Sequence, residues 1–362
     1  VSQSLKLAIA GVGLIGKRHA AAMEHMRDVS LSAVVDPSEA GRAFAVRRGL
    51  PCFDTLEALF TAETVDGVII ATPTLLHAEM GSACVTAGIP ALIEKPLTTR
   101  AEDALALVRA SEARGVPLLV GHHRRHNPLI QKAREVIDAG RIGDVRAIHA
   151  TCWFHKPDDY FDAAPWRKKF GAGPISVNLV HDVDLIRYLC GDVVSVQGQA
   201  APSRRGYENE DVAAAVLRFE SGAIGTITVS DSIASPWSWE LTSGENPIYP
   251  ATQESCYMIG GSTGAISVPD LRVWSHTGER PDWWSDIAAT SLVRENSDPL
   301  INQIRHFAEV IRGEAQPLVS GREGLRTMQV LEALQTACLT GTGVTITALD
   351  LPEREKTLQF TG

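Results

Sequence analysis

The sequence predicts an α/β protein: a doubly wound parallel sheet first, then a C-terminal α+β domain with a large, mostly antiparallel open sheet. Three observations predict it. A chain of 362 residues exceeds what one ordinary core holds. Its first third alternates short β-prone runs with helical runs, the pattern of βαβ units. Past Gly121 the runs become strands in hairpin order, which points to an antiparallel sheet.

In chain order, residues 5–10 read as the first strand, 17–26 as a helix, 31–35 as a strand and 38–48 as a helix with Ser38 at its N-cap. The run GVIIA at 67–71 is apolar throughout, as a strand buried on both faces must be. A helix over 75–87 ends at Gly88, a strand takes 91–93, a helix over 100–114 ends at Gly115 and a strand takes 117–120. A helix over 128–139 and an alternating strand over 145–154 follow. The loop 156–169 is rich in aromatic and charged residues and leads to GAGP at 171–174 and a helix over 176–189. Strands are expected at 193–199, 211–219, 223–230, 265–268 and 271–274, with Gly222 in a turn, and helices at 299–312 and 322–339. Residues 235–253, rich in Pro, Gly and Trp, form a long loop, and loops of that length tend to carry function.

Composition narrows the function classes. Apolar residues make up 44% and charged residues 21%, which suits a globular chain and not a disordered one. The net charge of −9 argues against nucleic acid or an anionic membrane as partner. Six cysteines without CxxC spacing read as thiols of a reduced compartment, so a cytoplasmic location is expected. No apolar run reaches the roughly 18 residues of a membrane span. The partly apolar start has no basic leader and reads as a strand, not a signal peptide.

Gly11-Val12-Gly13-Leu14-Ile15-Gly16 stands between a strand and a helix. The first glycine makes the tight turn, the second lets the backbone approach a pyrophosphate, and the third lets helix and strand pack closely. The helix start then offers free N–H groups to the anion. Asp36 ends the next strand, 20 positions beyond Gly16, where an acid binds the ribose hydroxyls of NAD and repels the 2′-phosphate of NADP. A Rossmann-type NAD site over residues 1–123 is therefore expected, with residues 124–362 as the substrate-binding and oligomerisation domain. NADP stays open, since Arg42 lies close enough in sequence to reach a phosphate.

Further motifs lie on the carboxyl edge of the sheet, where ligands of such sheets bind. They are Ala71-Thr72-Pro73 with His77 beyond it, and Glu94-Lys95-Pro96. Taken in order, GVGLIG, ATPTLLH, EKP, VGHHRRHNP and GAGP…HDVD resemble the Gfo/Idh/MocA oxidoreductases, a family of sugar and inositol dehydrogenases, and the likeness covers nearly the whole chain. The resemblance implies that Lys95 touches both nicotinamide and substrate and that His181 does the acid–base work. It puts Thr72, Pro73, His77, Glu94, Lys95 and His122 beside the cofactor, with Gly11, Gly13, Leu14, Ile15, Gly16 and Asp36. It puts Asn178, His155, Trp166, Arg167 and Arg125 beside the substrate. That chemistry is sound from below. A histidine titrates near neutrality and can take an alcohol proton, and a lysine beside a cationic ring can steady the developing alkoxide.

One departure stands out: where the family pattern has an aspartate four residues before the histidine, this chain has Val177, with Asn178 as the nearest polar residue. On a helix Asp184 lies at i+3 from His181, where it could orient the ring, face solvent or bind the other domain. His122, His123 and His126 are too close in sequence to aim at one metal ion, and no metal is expected. Trp153, Phe154, Tyr160 and Phe161 are wall candidates or plain core. Loops 156–169 and 235–253 are expected to set the substrate.

The expected activity is thus NAD-dependent oxidation of a secondary alcohol on a sugar, inositol, polyol or glycoside, the proton passing to His181. The alternatives are reduction of a keto sugar, dihydrodiol oxidation, or, outside enzymes, a dinucleotide sensor, which Val177 favours and Lys95 with His181 disfavour. Trp237, Trp239, Trp274, Trp283 and Trp284 fall in or near the second sheet. An apolar open face there would need a partner, so a homodimer or homotetramer through this sheet is expected.

Overall fold

The computed structural model describes residues 4–277 and 282–347. Among these, β1 (Leu5–Ala10), β2 (Val29–Val35), β3 (Cys52–Phe53), β4 (Gly67–Ile70), β5 (Ala91–Ile93) and β6 (Leu118–Val120) form a six-stranded parallel sheet ordered β3-β2-β1-β4-β5-β6. The connections are α1 (Leu14–Met23), α2 (Glu39–Arg48), α3 (Leu56–Ala62), α4 (His77–Ala87) and α5 (Ala101–Arg114). Both faces are covered, as apolar strands demand. Leu7 and Ile9 join one core, while Ala8 and Ala10, pointing the other way, join a second.

The second sheet has nine described strands: β7 (Val145–Trp153), β8 (Val193–Pro202), β9 (Glu210–Phe219), β10 (Ile224–Ser230), β11 (Tyr257–Gly261), β12 (Gly264–Val268), β13 (Arg272–His276), β14 (Ile287–Ser291) and β15 (Val344–Thr345). Their order is β14-β13-β12-β11-β7-β10-β9-β8-β15, antiparallel throughout except for the parallel pair β7 and β10. The helices of this half are α6 (Pro128–Asp138), α7 (Asp158–Asp162), α8 (Pro174–Val177), α9 (Leu179–Cys190), α10 (Trp239–Thr242), α11 (Pro299–Ile311) and α12 (Gly321–Thr340). α6, α9 and the later half of α12 cover one face of the sheet. On the other face Ala214, Val216, Arg218, Ile224 and Thr226 stay exposed.

The expected division at residue 123 falls between the sheets, yet the chain returns across it. α11 places Leu300, Ile304 and Phe307 against Leu7, Ile9 and Ile69 of the first sheet. The start of α12 lies against β6, where a Cβ on Gly324 would come within 2.6 Å of Val120.

Three differences from the sequence reading have physical causes. α1 starts at Leu14, not residue 17, because the helix opens directly on the glycine turn. β3, α3, β11, β14 and β15 are short elements without a clear period, and the sequence reading passed over them. The helix expected over 176–189 is two helices, α8 and α9, broken at Asn178 with φ −104 and ψ −55.

Candidate active site

The glycine turn has the form a pyrophosphate needs. Gly11 has φ +84, and a Cβ there would meet the Ala71 carbonyl oxygen at 2.8 Å. A Cβ on Gly16 would lie 2.0 Å from the Gly11 carbonyl oxygen, so only glycine lets α1 pack this closely. At Gly13 nothing lies within 4 Å of where a Cβ would stand, which leaves the backbone open to a ligand. α1 has no side-chain cap, so its first N–H groups are free for an anion. Leu14 is 87% exposed beside this space, and Ile15 is half-buried.

Asp36 is set by the loop it serves. Its Oδ2 accepts from Val12 N at 3.0 Å, and its Oδ1 from Ser38 N and Oγ at 3.0 and 2.6 Å. Burial raises its pKa, but the hydrogen bonds from Ser38 and Val12 outweigh that and keep the carboxyl below its usual range. Oδ2, with one bond made, retains capacity for a ribose hydroxyl. Arg42, which could have reached a 2′-phosphate, binds Asp54 Oδ1 at 2.5 Å. These residues fit NAD.

Around the edge of the first sheet the expected cofactor residues divide. Thr72 and Pro73 lie on the β4 edge, partly or fully exposed. His77 does not line the crevice. It is 1% exposed, and its ring is taken up by the carbonyl oxygens of Thr72 and Pro96, both at 2.9 Å. Glu94 is likewise internal: it accepts from His19 Nε2 of α1 at 2.8 Å, tying the phosphate-binding helix to the lysine loop. His19 lies outside every motif, so only its place on the inner face of α1 could have pointed to it.

The second sheet brings its residues to the same edge. His181, on the first turn of α9, is half-buried, with ring centres 6.5 Å from His122 and 5.6 Å from His123. Burial lowers its pKa, and the charges of Lys95, Arg124, His123 and His122 all push the same way, so the imidazole stays neutral well below 6.5. Lys95 is half-buried, and its pKa is lowered too. Burial leads, Arg124 and Lys156 add to it, and Glu94 and Glu240 only partly oppose it. The Lys95 charge thus reaches His181 across the seam of the two sheets. Buried His122, beside both, is pushed down to about 4, chiefly by burial.

Several expected substrate residues lie elsewhere. Arg125 is not a pocket wall. It is 2% exposed and gives a two-pronged bond to Asp184, at 2.8 and 2.7 Å, and a third bond to Glu323 at 3.0 Å. That settles Asp184 as well: it binds the segment after β6 and not the His181 ring. His155 points outward and is exposed. A chain leaving a strand alternates its side chains, so the inward residue is its neighbour Lys156, which the sequence reading passed over. Lys156 is 8% exposed and donates to Asn178 Oδ1 at 2.7 Å. Trp166 is 57% exposed. Arg167 lies 4.0 Å over the Tyr160 ring and donates to the Tyr160 carbonyl at 2.6 Å, so it braces the wall.

Loop 235–253 is anchored at this edge through α10. Glu240 accepts from Arg124 at 2.6 Å, and Glu245 receives Asn127 and Trp239 at 2.9 and 3.1 Å. The histidines after β6 diverge: His122 faces Asp184, His123 faces Glu245, and the His126 ring lies 5.2 Å from His306. Among the described residues no three His, Cys, Asp or Glu side chains converge as metal ligands.

Comparison with known proteins decides the family. The model described as an oxidoreductase family with an NAD-binding Rossmann fold matches residues 5–122, and the GFO/IDH/MocA C-terminal domain matches residues 130–267. The chain belongs to the Gfo/Idh/MocA oxidoreductases. Among these it is 27% identical over 360 residues to a D-apiose dehydrogenase of Paraburkholderia graminis, covering 95% of this chain and 90% of that protein. It is 27% identical over 338 residues to an inositol 2-dehydrogenase of Rhizobium meliloti, covering 91% and 96%. The WlbA dehydrogenase of Bordetella pertussis, solved with NADH and UDP-GlcNAcA, superposes with a TM-score of 0.77 at 27% identity, covering 96% of this chain and all of that one. As a Gfo/Idh/MocA protein the chain is an NAD-dependent oxidoreductase. No described helix is long and apolar enough to cross a membrane.

Proposed function

We propose that this protein oxidises one secondary alcohol of a sugar, inositol, polyol or glycoside with NAD, or runs the same reaction in reverse on the ketone. The observation that carries the reading is the pairing of Lys95, on the loop after β5, with His181 on α9, where burial and then the Lys95 charge hold the imidazole pKa down. The names of the relatives, a D-apiose and an inositol dehydrogenase, point to the same substrate class.

When bound, NAD supplies the hydride acceptor. Gly11–Gly16 and Asp36 hold its phosphates and ribose. His181, neutral at working pH, takes the proton of the substrate hydroxyl on its ring nitrogen. Lys95 Nζ has no ion pair with a described residue in the structure and faces the developing alkoxide as a ready-made positive charge. Asn178 orients the substrate. We assign residues 1–123 to the cofactor lobe and 124–362 to the substrate lobe, with helical exchange between them, in a cytoplasmic homo-oligomer joined by the open sheet face.

The test is growth of the reduced-nicotinamide absorbance when the protein and NAD meet cyclitols, aldoses and polyols. At least one is expected to be turned over by wild type. A protein that binds NAD and reduces it with none of them overturns the reading in favour of a sensor.

A further inference from the structure

We propose that Lys156 is a positioning residue of the active cleft: it turns the amide of Asn178 so that a hydrogen-bond donor faces the substrate, close to where the family pattern carries a carboxylate. The proposal rests on the dehydrogenase reading and deepens it.

Asn178 is fixed at its backbone. It occupies the break between α8 and α9, its N–H donates to the Pro174 carbonyl, and its own carbonyl accepts from His181 N, each at 3.1 Å. Its side chain therefore leaves the chain just ahead of the His181 ring. The Lys156 ammonium reaches Asn178 Oδ1 at 2.7 Å. An ammonium only donates, so it can bind the oxygen of the amide and not the nitrogen, and the orientation of Asn178 follows without ambiguity. The freed Nδ2 has no hydrogen bond to a described residue, and it is not among the buried orphan atoms, so it is open to solvent.

Lys156 is itself held. Asp231 Oδ2 lies 3.5 Å from its Nζ, and that carboxylate is braced by Arg205 at 3.0 Å. The rings of Tyr160 and Phe154 lie 5.1 and 5.6 Å from the ammonium. Such a lysine is not a solvated surface charge, and it loses little freedom in holding its partner.

The consequence is chemical. A carboxylate near this position would accept a hydrogen bond from the substrate. The Asn178 amide nitrogen donates one. The substrate group opposite it must then be an acceptor: a hydroxyl lone pair, a ring oxygen or a carboxylate. Lys156 also belongs to the set of charges that face Lys95, with Glu94 on its own loop, Arg124 and His122 after β6, His181 on α9 and Glu240 on α10.

The experiment is a double-mutant cycle on the best polyol substrate, with NAD binding as the check on folding. Lys156→Met and Asn178→Ala are each expected to lower kcat/KM about tenfold or more, and the double variant no further than the worse single within about twofold. Lys156→Arg, which keeps a donor and the charge, restores most of the loss. Lys156→Met moves the alkaline limb of the pH profile upward, because a cation beside Lys95 is gone, whereas Asn178→Ala leaves it in place. Should Lys156→Met fail to bind NAD, Lys156→Leu takes its place in the cycle, since it too removes the donor while filling most of the space. Losses that multiply in the double variant overturn the proposal alone. A wild-type protein that turns over no polyol overturns the dehydrogenase reading and this proposal together.

Discussion

Two clusters of buried charge meet at His122, and they are built on opposite rules. In the hub around Asp184 nearly every valence is used. Asp184 accepts from both prongs of Arg125 and from Thr327 at 3.1 Å, while Arg187 donates to Thr327, to the Glu323 carbonyl and to Asp192. In the cleft around Lys95 valences are left over. Lys95 has no described ion partner, His181 Nδ1 is buried without a hydrogen bond, and Asn178 turns a free donor outward. Both clusters paid a desolvation penalty. The hub offsets it within the protein and so fixes how the two halves sit. The cleft leaves it to be offset by a ligand.

The sharpest test of that contrast is reciprocal. Lys95→Ala or His181→Ala is expected to cut kcat/KM by about 10²–10⁴-fold with no loss of thermal stability, since an unpaired buried charge is removed with Lys95. Asp184→Ala is expected to do the reverse. It strands Arg125 in the interior at a cost of about 3–5 kcal/mol, read by urea unfolding, while the folded fraction keeps its activity. A Lys95→Ala protein that unfolds early, or an Asp184→Ala protein as stable as wild type, would break the comparison.

Acidity separates the clusters next. The His181 pKa lies well below 6.5, and in the proposed role its neutral imidazole accepts the proton, so oxidation is expected to hold level as pH falls through 6.5 and to fail only lower. At the other end the Lys95 ammonium is lost below the usual 10.5, so the alkaline limb comes early. Asp184 responds differently. Burial raises its pKa, but Arg125 and His122 outweigh that and leave it below 3.8. The stability it contributes is therefore present above the usual aspartate range and is lost as pH falls through the lower folded value. Rate and unfolding profiles recorded over the same pH series check both. An acid limb in the rate at the usual histidine value would show that the cleft does not depress His181.

The smallest expected effect lies away from both clusters, on the open face of the second sheet. Ile224→Lys with Val216→Lys is expected to shift the assembly to monomer by light scattering, with kcat/KM within about twofold of wild type. A wild-type protein that is already a monomer, or a variant that keeps a larger mass, would show that this face joins no copies.

The two sheets and the glycine turn were legible in the sequence because each follows a local rule: a period of two, a helix between strands, a φ that only glycine takes easily. The cleft was legible in part. Lys95 and His181 sit in short motifs, and the structure brings them together. The sequence points to His155, yet it is Lys156 that turns inward, because one step of strand parity sends a side chain to the opposite side. The family resemblance puts Arg125 and His77 at the cleft, but their partners, Asp184 and two loop carbonyls, are tertiary and leave no local trace. The break at Asn178 was hidden by residues that suit a continuous helix.

The return of α11 onto the first sheet bears on how this chain is made. Leu7, Ile9, Ile69 and Leu92 leave the ribosome well before the side chains that seal them, Leu300, Ile304 and Phe307, which follow the long strands of the second sheet. The nucleotide lobe is thus translated before the second sheet and completed after it, its hydrophobic flank bare in between. A chimera that grafts this lobe onto a foreign partner has to carry α11 along, or it inherits an unsealed flank and a tendency to aggregate.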